Sequence, residues 1–269
     1  MKTPFTDVKI LKHNNVELKR YSETSLSIHP QYKIKNTDKN PNIEKGLCFF
    51  SKGDFIWNHF FLDSAPILYF CKSILEKDKS IKIITKEIRF DFFNYFIKNI
   101  LNLNNEILVM KKNEKNTIKE LYEIQVTGPF ASGLFPYLAY FNCPIVLHKK
   151  LYNFIHSNNK YINNLLIYTK RNNNDNRVGR YIKNENIIED ILKIYCIKNN
   201  LRYISFFYKD YSVEDRIKLF NSAKVIVGPH GSANFHTVFC NKETKFIEFI
   251  FCKDCHSTQL TSLSYDLDY

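Results

Sequence analysis

The sequence predicts an α/β protein in which parallel strands alternate with helices. In the second half, short apolar runs that are typical of buried strands alternate with segments whose apolar residues recur at helical spacing. The run LLIYT at 165–169 is followed by a helical pattern at 184–197, and YISFF at 203–207 is followed by a helix after Ser212. This alternation is typical of a Rossmann-like layer structure, and we expect a second, similar unit in the first half, joined near residue 145.

Weaker patterns define the elements of the first half. Residues 1–45 are polar and poorly periodic, which favours edge strands at most. The apolar run 56–75 predicts a buried helix that breaks or begins again near Pro66, because proline is not tolerated inside a helix. The remaining predictions are strands at 80–85, 106–110 and 121–128, a helix at 90–101, and helix and turn at 130–144.

The second half gives clearer boundaries. A helix is predicted over 146–156, and Ser212 followed by two acidic residues predicts the start of a helix that runs to about Ala223. The strand that ends in VIVG stops at the turn Gly228-Pro229-His230-Gly231. A short helix at 233–240 and a final strand at 245–251 follow.

Composition limits the classes of partner. The formal net charge of +12 favours anionic partners, namely nucleic acid, phosphorylated ligands or an acidic membrane surface. The lysines are interspersed with Asn, Asp and Glu, as in KIKNTDKN, and no nucleic-acid-binding motif is present, so we do not expect a nucleic-acid partner. No apolar run predicts a transmembrane segment, although a peripheral membrane contact stays open.

Cysteine usage predicts a reducing compartment. The seven cysteines are mostly in apolar segments, and MKTPFTDVKILKHNN lacks the apolar core of a signal peptide, so we expect a cytoplasmic protein. The segment Cys252-Lys-Asp-Cys255-His256 matches a haem-attachment pattern, but that chemistry requires export. A zinc site would need a second ligand pair, so we predict ordinary thiols here and neither a metal nor a cofactor.

Two predicted strand ends carry side chains suited to anion binding. LLIYT is followed by Lys170 and Arg171, with Arg177 and Arg180 in the next loop, and the other strand ends at Gly228–Ser232 before a helix. Open α/β sheets bind ligands beyond such ends, and glycine lets a phosphate approach the N–H groups of a helix N-terminus. Together the two ends predict a diphosphate-bearing ligand. Taken singly, each is better explained as a tight turn with a structural histidine or as a solvated loop, and only their occurrence together brings the functional interpretation level with these.

The same residues carry a resemblance to glycosyltransferase family 61. The segments LIYTKRNNNDNRVGRYIKNENIIEDIL and SVEDRIKLFNSAKVIVGPHGSANFHTVFCNKETKFIEF follow the order of the family's motifs, and NHFFLDSAP at 58–66 is similar to its His-Trp-x-x-Glu-x-x-Pro segment. The resemblance covers about residues 50–269. Two positions depart from the pattern: Ser232 replaces the usual Ala, and His236 replaces an Asn, whereas Asn234 lies two positions earlier.

The resemblance implies a GT-B fold, with two Rossmann-like domains and a cleft between them. Residues 1–145 would form the acceptor domain and residues 146–269 the nucleotide-sugar-binding domain. The implied reaction transfers a sugar, with inversion, from a UDP-linked or similar nucleotide sugar to a glycan or protein acceptor. No metal is implied, because helix dipoles and basic side chains neutralise the leaving diphosphate.

The resemblance also implies roles for individual residues. Asp63 is the candidate general base, with His59 beside it, because residues four apart share a helix face; both could instead be structural. Glu248 is expected to accept hydrogen bonds from ribose hydroxyls. The donor-binding residues implied are Lys170, Arg171, Arg177, Arg180, Asn184, Gly228, His230, Gly231, Ser232, Asn234, His236 and Glu248. A non-catalytic basic protein that binds nucleotide or nucleic acid in the same cleft stays the alternative.

Overall fold

The computed structural model describes residues 7–20, 32–49, 60–86, 92–127, 145–157, 162–171, 182–250 and 267. The chain divides into two compact units, residues 1–147 and residues 148–269. Each unit has its own sheet with helices packed beside it, so the predicted α/β class is confirmed.

A six-stranded mixed sheet forms the first unit. Its strands are β1 (Asp7–Arg20), β2 (Tyr32–Asn36), β3 (Ile43–Cys48), β4 (Lys82–Thr85), β5 (Ile107–Val109) and β6 (Lys115–Thr127). They lie in the order β2-β1-β6-β3-β4-β5. The strand β1 is antiparallel to both β2 and β6, whereas β6, β3, β4 and β5 run parallel to one another.

The prediction of at most edge strands in residues 1–45 is wrong for β1. This strand has 14 residues, lies inside the sheet and pairs with β6 from Asp7 opposite Thr127 to Lys19 opposite Lys115. Its Val16 and Leu18 are fully buried in the core. Polar residues on the other face hide this role in the sequence, because a strand with one solvated face needs few apolar residues.

Aromatic packing fixes the helices of the first unit. A π-helical turn at Phe60–Ser64 leads into α1 (Ala65–Lys77), whose first turn contains Pro66, as the predicted restart near the proline requires. A second helix, α2 (Phe92–Tyr95), continues as a π-helical turn to Ile100. The buried ring of Phe60 meets three rings of this segment edge-on, with centroids 5.3–5.9 Å apart: Phe92, Phe93 and Phe96.

The sheet of the second unit has four strands, β7 (Leu165–Thr169), β8 (Arg202–Phe206), β9 (Ala223–Pro229) and β10 (Lys245–Phe249). They are all parallel and lie in the order β10-β9-β7-β8.

The helices of this part of the chain are α3 (Ile145–His156), α4 (Glu185–Lys198) and α5 (Val213–Asn221). The hydroxyl of Ser212 accepts a hydrogen bond from the N–H of Asp215 at 3.1 Å, which confirms the predicted N-cap of α5. The short helix predicted after β9 is a 3-10 helix at Ser232–Phe239.

Among the described residues, no helix is both long enough and apolar enough to cross a bilayer.

Candidate functional site

The strand order of the second unit creates a switch point between β7 and β9. From β7 the chain crosses to β8 at one edge of the sheet, and it then returns past β7 to β9 and β10. The connections therefore leave β7 and β9 in opposite directions. Open α/β sheets bind ligands in the crevice outside the carboxyl ends of such neighbours. Thr169 and Pro229 end these two strands, so both strand ends named in the sequence meet at one place.

A buried carboxylate organises this place. Glu248 on β10 lies opposite Gly228 on β9, and its side chain is 0% exposed. Its Oε1 accepts hydrogen bonds from Nδ1 of His230 at 2.9 Å and from Nδ2 of Asn234 at 2.7 Å. A buried carboxylate is stable only with such partners. Since an ionised carboxylate can only accept, we assign the proton between the two residues to Nδ1 of His230.

The amide of Asn234 joins three strand ends. Besides the bond to Glu248, its Nδ2 donates to the carbonyl oxygen of Pro229 at 3.2 Å. Its Oδ1 accepts from the hydroxyl of Thr169 at 3.1 Å. The ends of β7, β9 and β10 are therefore held by one fully buried amide. Sequence reasoning missed Thr169 as a site residue, although a buried hydroxyl at the last position of an apolar strand was a usable signal.

Two glycines allow these ends to approach. A Cβ at Gly228 would overlap the side chain of Thr169 and lie 2.9 Å from its carbonyl oxygen. A Cβ at Gly231 would lie 2.7 Å from Nε and 2.9 Å from Cζ of Arg171. Real Cβ atoms essentially never lie so close to other atoms. The absence of a side chain at Gly228 therefore lets the ends of β7 and β9 approach, and its absence at Gly231 leaves room for the guanidinium group of Arg171.

The structure separates the adjacent cations Lys170 and Arg171. The ammonium group of Lys170 forms an ion pair with Glu189 on α4, which also accepts a hydrogen bond from Tyr203 at 2.9 Å. Burial acts to raise the pKa of Glu189, but the bonds from Lys170 and Tyr203 outweigh it and lower that pKa. Arg171 instead lies against Gly231, so it is the cation placed at the turn after β9.

The start of α4 contributes an acidic side chain. Oε1 of Glu185 accepts a hydrogen bond from the hydroxyl of Tyr168 on β7 at 3.1 Å. Burial, together with this carboxylate, raises the pKa of Tyr168 and keeps it a hydrogen-bond donor. The neighbouring Asn184 is exposed at the N-cap position, without a side-chain capping bond. Glu185 directly follows the predicted donor-binding residue Asn184 in the sequence, but it was not predicted as a site residue.

Two predicted donor contacts are not supported by the placement of the side chains. His236 is 2% exposed and stacks on Phe220 with ring centroids 4.8 Å apart, while Phe206 meets it edge-on. Burial lowers the pKa of His236 to about 3, so the ring is neutral. Because a 3-10 helix has three residues per turn, Asn234 and His236 point to different sides. Glu248 is fully buried and bonded to His230 and Asn234, and this placement does not favour the predicted contact with a ribose.

Several predicted residues lie outside the described residues. They include His59, Arg177 and Arg180, and the segment Cys252–His256. For Asp63 and Ser232 the structure describes the backbone only: Asp63 is in the π-helical turn before α1, and Ser232 begins the 3-10 helix after Gly231.

Comparison with known families gives this geometry its context. The model of the family described as Glycosyltransferase 61 matches residues 57–247, well over half of the chain. The chain belongs to glycosyltransferase family 61. The matched span contains β7, β9 and the turn at Gly228–Gly231, and it ends one residue before Glu248. A search among curated proteins finds no match. Membership of the family makes the protein a glycosyltransferase, and the resemblance drawn from the sequence is confirmed.

Proposed function

We propose that this glycosyltransferase binds a UDP-linked nucleotide sugar at the switch point of its second unit. In this proposal the fold is of the GT-B type, the transfer inverts the anomeric centre, and the acceptor is a glycan or a protein. The observation that carries the proposal is the convergence of Arg171, His230 and the Gly228–Gly231 turn at adjacent strand ends. The family supplies the reaction class.

The site residues suit a diphosphate. The guanidinium group of Arg171 can bind two phosphate oxygens at once. It lies against Gly231, just beyond the end of β9. The imidazole of His230 is oriented by Glu248, so its Nε2 lies on the edge of the ring opposite that carboxylate. Nε2 accepts a hydrogen bond in the neutral ring and donates one in the imidazolium. Binding of a phosphate oxygen through Nε2 therefore requires the imidazolium form.

These groups would stabilise the leaving diphosphate. In an inverting transfer, the acceptor oxygen forms a bond to the anomeric carbon while the bond from that carbon to the phosphate oxygen breaks. The electron pair leaves with the diphosphate, and cations that are already in place stabilise the developing charge. The proton of the acceptor hydroxyl passes to a general base, for which Asp63, with His59 near it in sequence, is our candidate. We expect activity to persist in EDTA, since the proposal places this charge on protein cations.

Thermal shift and calorimetric titration with UDP and a panel of UDP-sugars test the donor site. We expect Arg171→Ala to weaken UDP binding by about tenfold or more, because a charge-assisted hydrogen bond is worth about 1.5–3 kcal/mol. The adjacent Lys170→Ala is the matched control. It removes the same charge from the neighbouring position, but Lys170 is directed to Glu189, so UDP affinity should change by less than about twofold.

Two results would oppose the proposal. If no UDP-sugar or free nucleotide raises the melting temperature, the protein does not bind this donor class. If both substitutions weaken UDP binding equally, the site is not at the Gly231 turn. Binding of a nucleic acid with a steep dependence on salt, in the absence of nucleotide binding, would instead support the non-catalytic alternative.

A further inference from the structure

Helix α4 is apolar on two opposite faces. Its inner face packs Ile188 and Leu192 against the core of the second unit, beside the buried Cys196. A helix on the surface of a globular protein normally has polar residues on its outer face. The outer face of α4 instead carries four isoleucines that are 54–82% exposed: Ile187, Ile191, Ile194 and Ile197. A contiguous apolar patch of this kind marks an interaction surface.

Two charged residues lie on the same outer face. Asp190 precedes Ile194 by four residues and Lys198 follows it by four, so all three lie along one line of the helix surface. Both charged side chains are exposed. Asp190 also forms an ion pair with Lys193 at 3.0 Å, but both side chains of that pair are more than half exposed. Such a surface pair is weak, so Asp190 can exchange it for another partner.

We propose that the outer face of α4 binds the same face of a second copy of this chain. The two helices would run antiparallel, with the two-fold axis at Ile194. Under that symmetry a residue before Ile194 meets the residue equally far after it in the other copy. Asp190 then meets Lys198 and Ile191 meets Ile197, and each contact occurs twice. The outer face is therefore complementary to itself in both charge and apolar character.

The charges of α4 favour a second copy over a membrane. The outer face carries one acidic and one basic side chain, Asp190 and Lys198, whereas Glu185 and Glu189 bond to Tyr168 and Lys170 on the inner side of the helix. A helix that lies on an anionic bilayer is rich in Lys and Arg along its polar face, and the outer face of α4 has no such excess of positive charge. One face of a helix of 14 residues offers less than the ~800 Å² per partner of a standard interface. We therefore expect a weak dimer, with a dissociation constant on the order of micromolar or above.

Sedimentation velocity of the full chain, without nucleotide, over a concentration series from about 1 to 100 μM tests the dimer. We expect reversible association that Ile194→Asp abolishes. Asp190→Lys and Lys198→Asp should each raise the dissociation constant about tenfold or more, because each puts like charges opposite one another at two places. The double variant with both substitutions restores the opposite charges and should return within about threefold of the unchanged chain.

One control variant and three possible results test whether α4 forms the dimer interface. Lys224→Asp makes the same charge change at an exposed position of β9, on the face of the sheet opposite to α4, so it should leave association unchanged. Circular dichroism melts should show that all variants keep the fold, because the changed positions are exposed. The proposal is overturned if the unchanged chain is monomeric throughout, or if association survives Ile194→Asp. It is also overturned if the double variant fails to recover. Binding of a monomeric chain to anionic vesicles through Ile194 would count as the first of these outcomes.

Discussion

Replacing His236 with leucine should change how the stability of the second unit depends on pH. The native pKa of His236 is about 3, because burial disfavours the charged ring. In the unfolded chain the pKa of histidine is about 6.5. The native state therefore stays neutral below pH 6.5 while the unfolded state binds a proton, and stability is lost as the pH falls from 6.5 towards 3.

The size of the effect follows from these two values. Each pH unit well below 6.5 costs up to about 1.4 kcal/mol of unfolding free energy, and the integral between pH 7 and pH 5 is about 2 kcal/mol. The result depends mainly on the unfolded pKa, because a ring with a native pKa near 3 is still neutral at pH 5. The leucine variant lacks this term. Its stability deficit relative to the unchanged chain should therefore shrink by about 2 kcal/mol over the same interval.

The unfolding free energy of the second unit by itself can be measured by urea titration, with hydrogen-exchange mass spectrometry of peptides from β9 as the readout. Phe220→Leu is the control. It perturbs the ring that stacks on His236 without removing a titrating group, so its stability deficit should be independent of pH. Equal pH slopes for the unchanged chain and His236→Leu would refute the reasoning, because they would mean that the native ring is protonated or exposed.

Further predictions concern the donor site. Gly228→Ala should lower the unfolding free energy by about 1–3 kcal/mol in urea titrations, because the new methyl group meets the backbone of β7; an unchanged value would contradict the close approach. Gly231→Ala should keep the melting temperature but weaken UDP binding, since it displaces Arg171, and intact affinity would remove Arg171 from the site. Glu248→Gln should cost about 1–2 kcal/mol of UDP affinity, because the charged acceptor that orients His230 is lost; unchanged affinity would assign Glu248 a purely structural role. Asp63→Asn should abolish transfer in a mass-spectrometric assay yet spare UDP binding, and loss of binding would argue against its role as the base.

Much of the second unit was predictable because its signals are local. The strand β7 is an unbroken apolar run, and Ser212 has the acidic residues of a helix start directly after it. The strand β1 was not predictable in the same way. Its partner β6 is about a hundred residues away. The alternation of apolar and polar residues at Val8-Lys9-Ile10 and at Val16-Glu17-Leu18 is interrupted by the segment 11–15, so no continuous period of two marks the strand.

The candidate site was predicted in part for the same reason. The glycine turn and the basic residues after β7 are contiguous motifs, and glycine next to a strand end has a direct physical meaning. The different directions of Lys170 and Arg171 depend on Glu189 and Gly231, which lie elsewhere in the chain. Sequence spacing contains no information about such partners.

The sequence by itself determined the class of fold, the order of strands and helices in the second unit, and the family. Local periodicity and turn chemistry specify these features. The tertiary structure decided that β7 and β9 are neighbours, that Glu248 serves His230 and Asn234 from inside the sheet, and that His236 belongs to the core. The physical reason is that strand pairing and burial join residues far apart in the chain, and the contacts so formed set the direction and the charge state of each side chain.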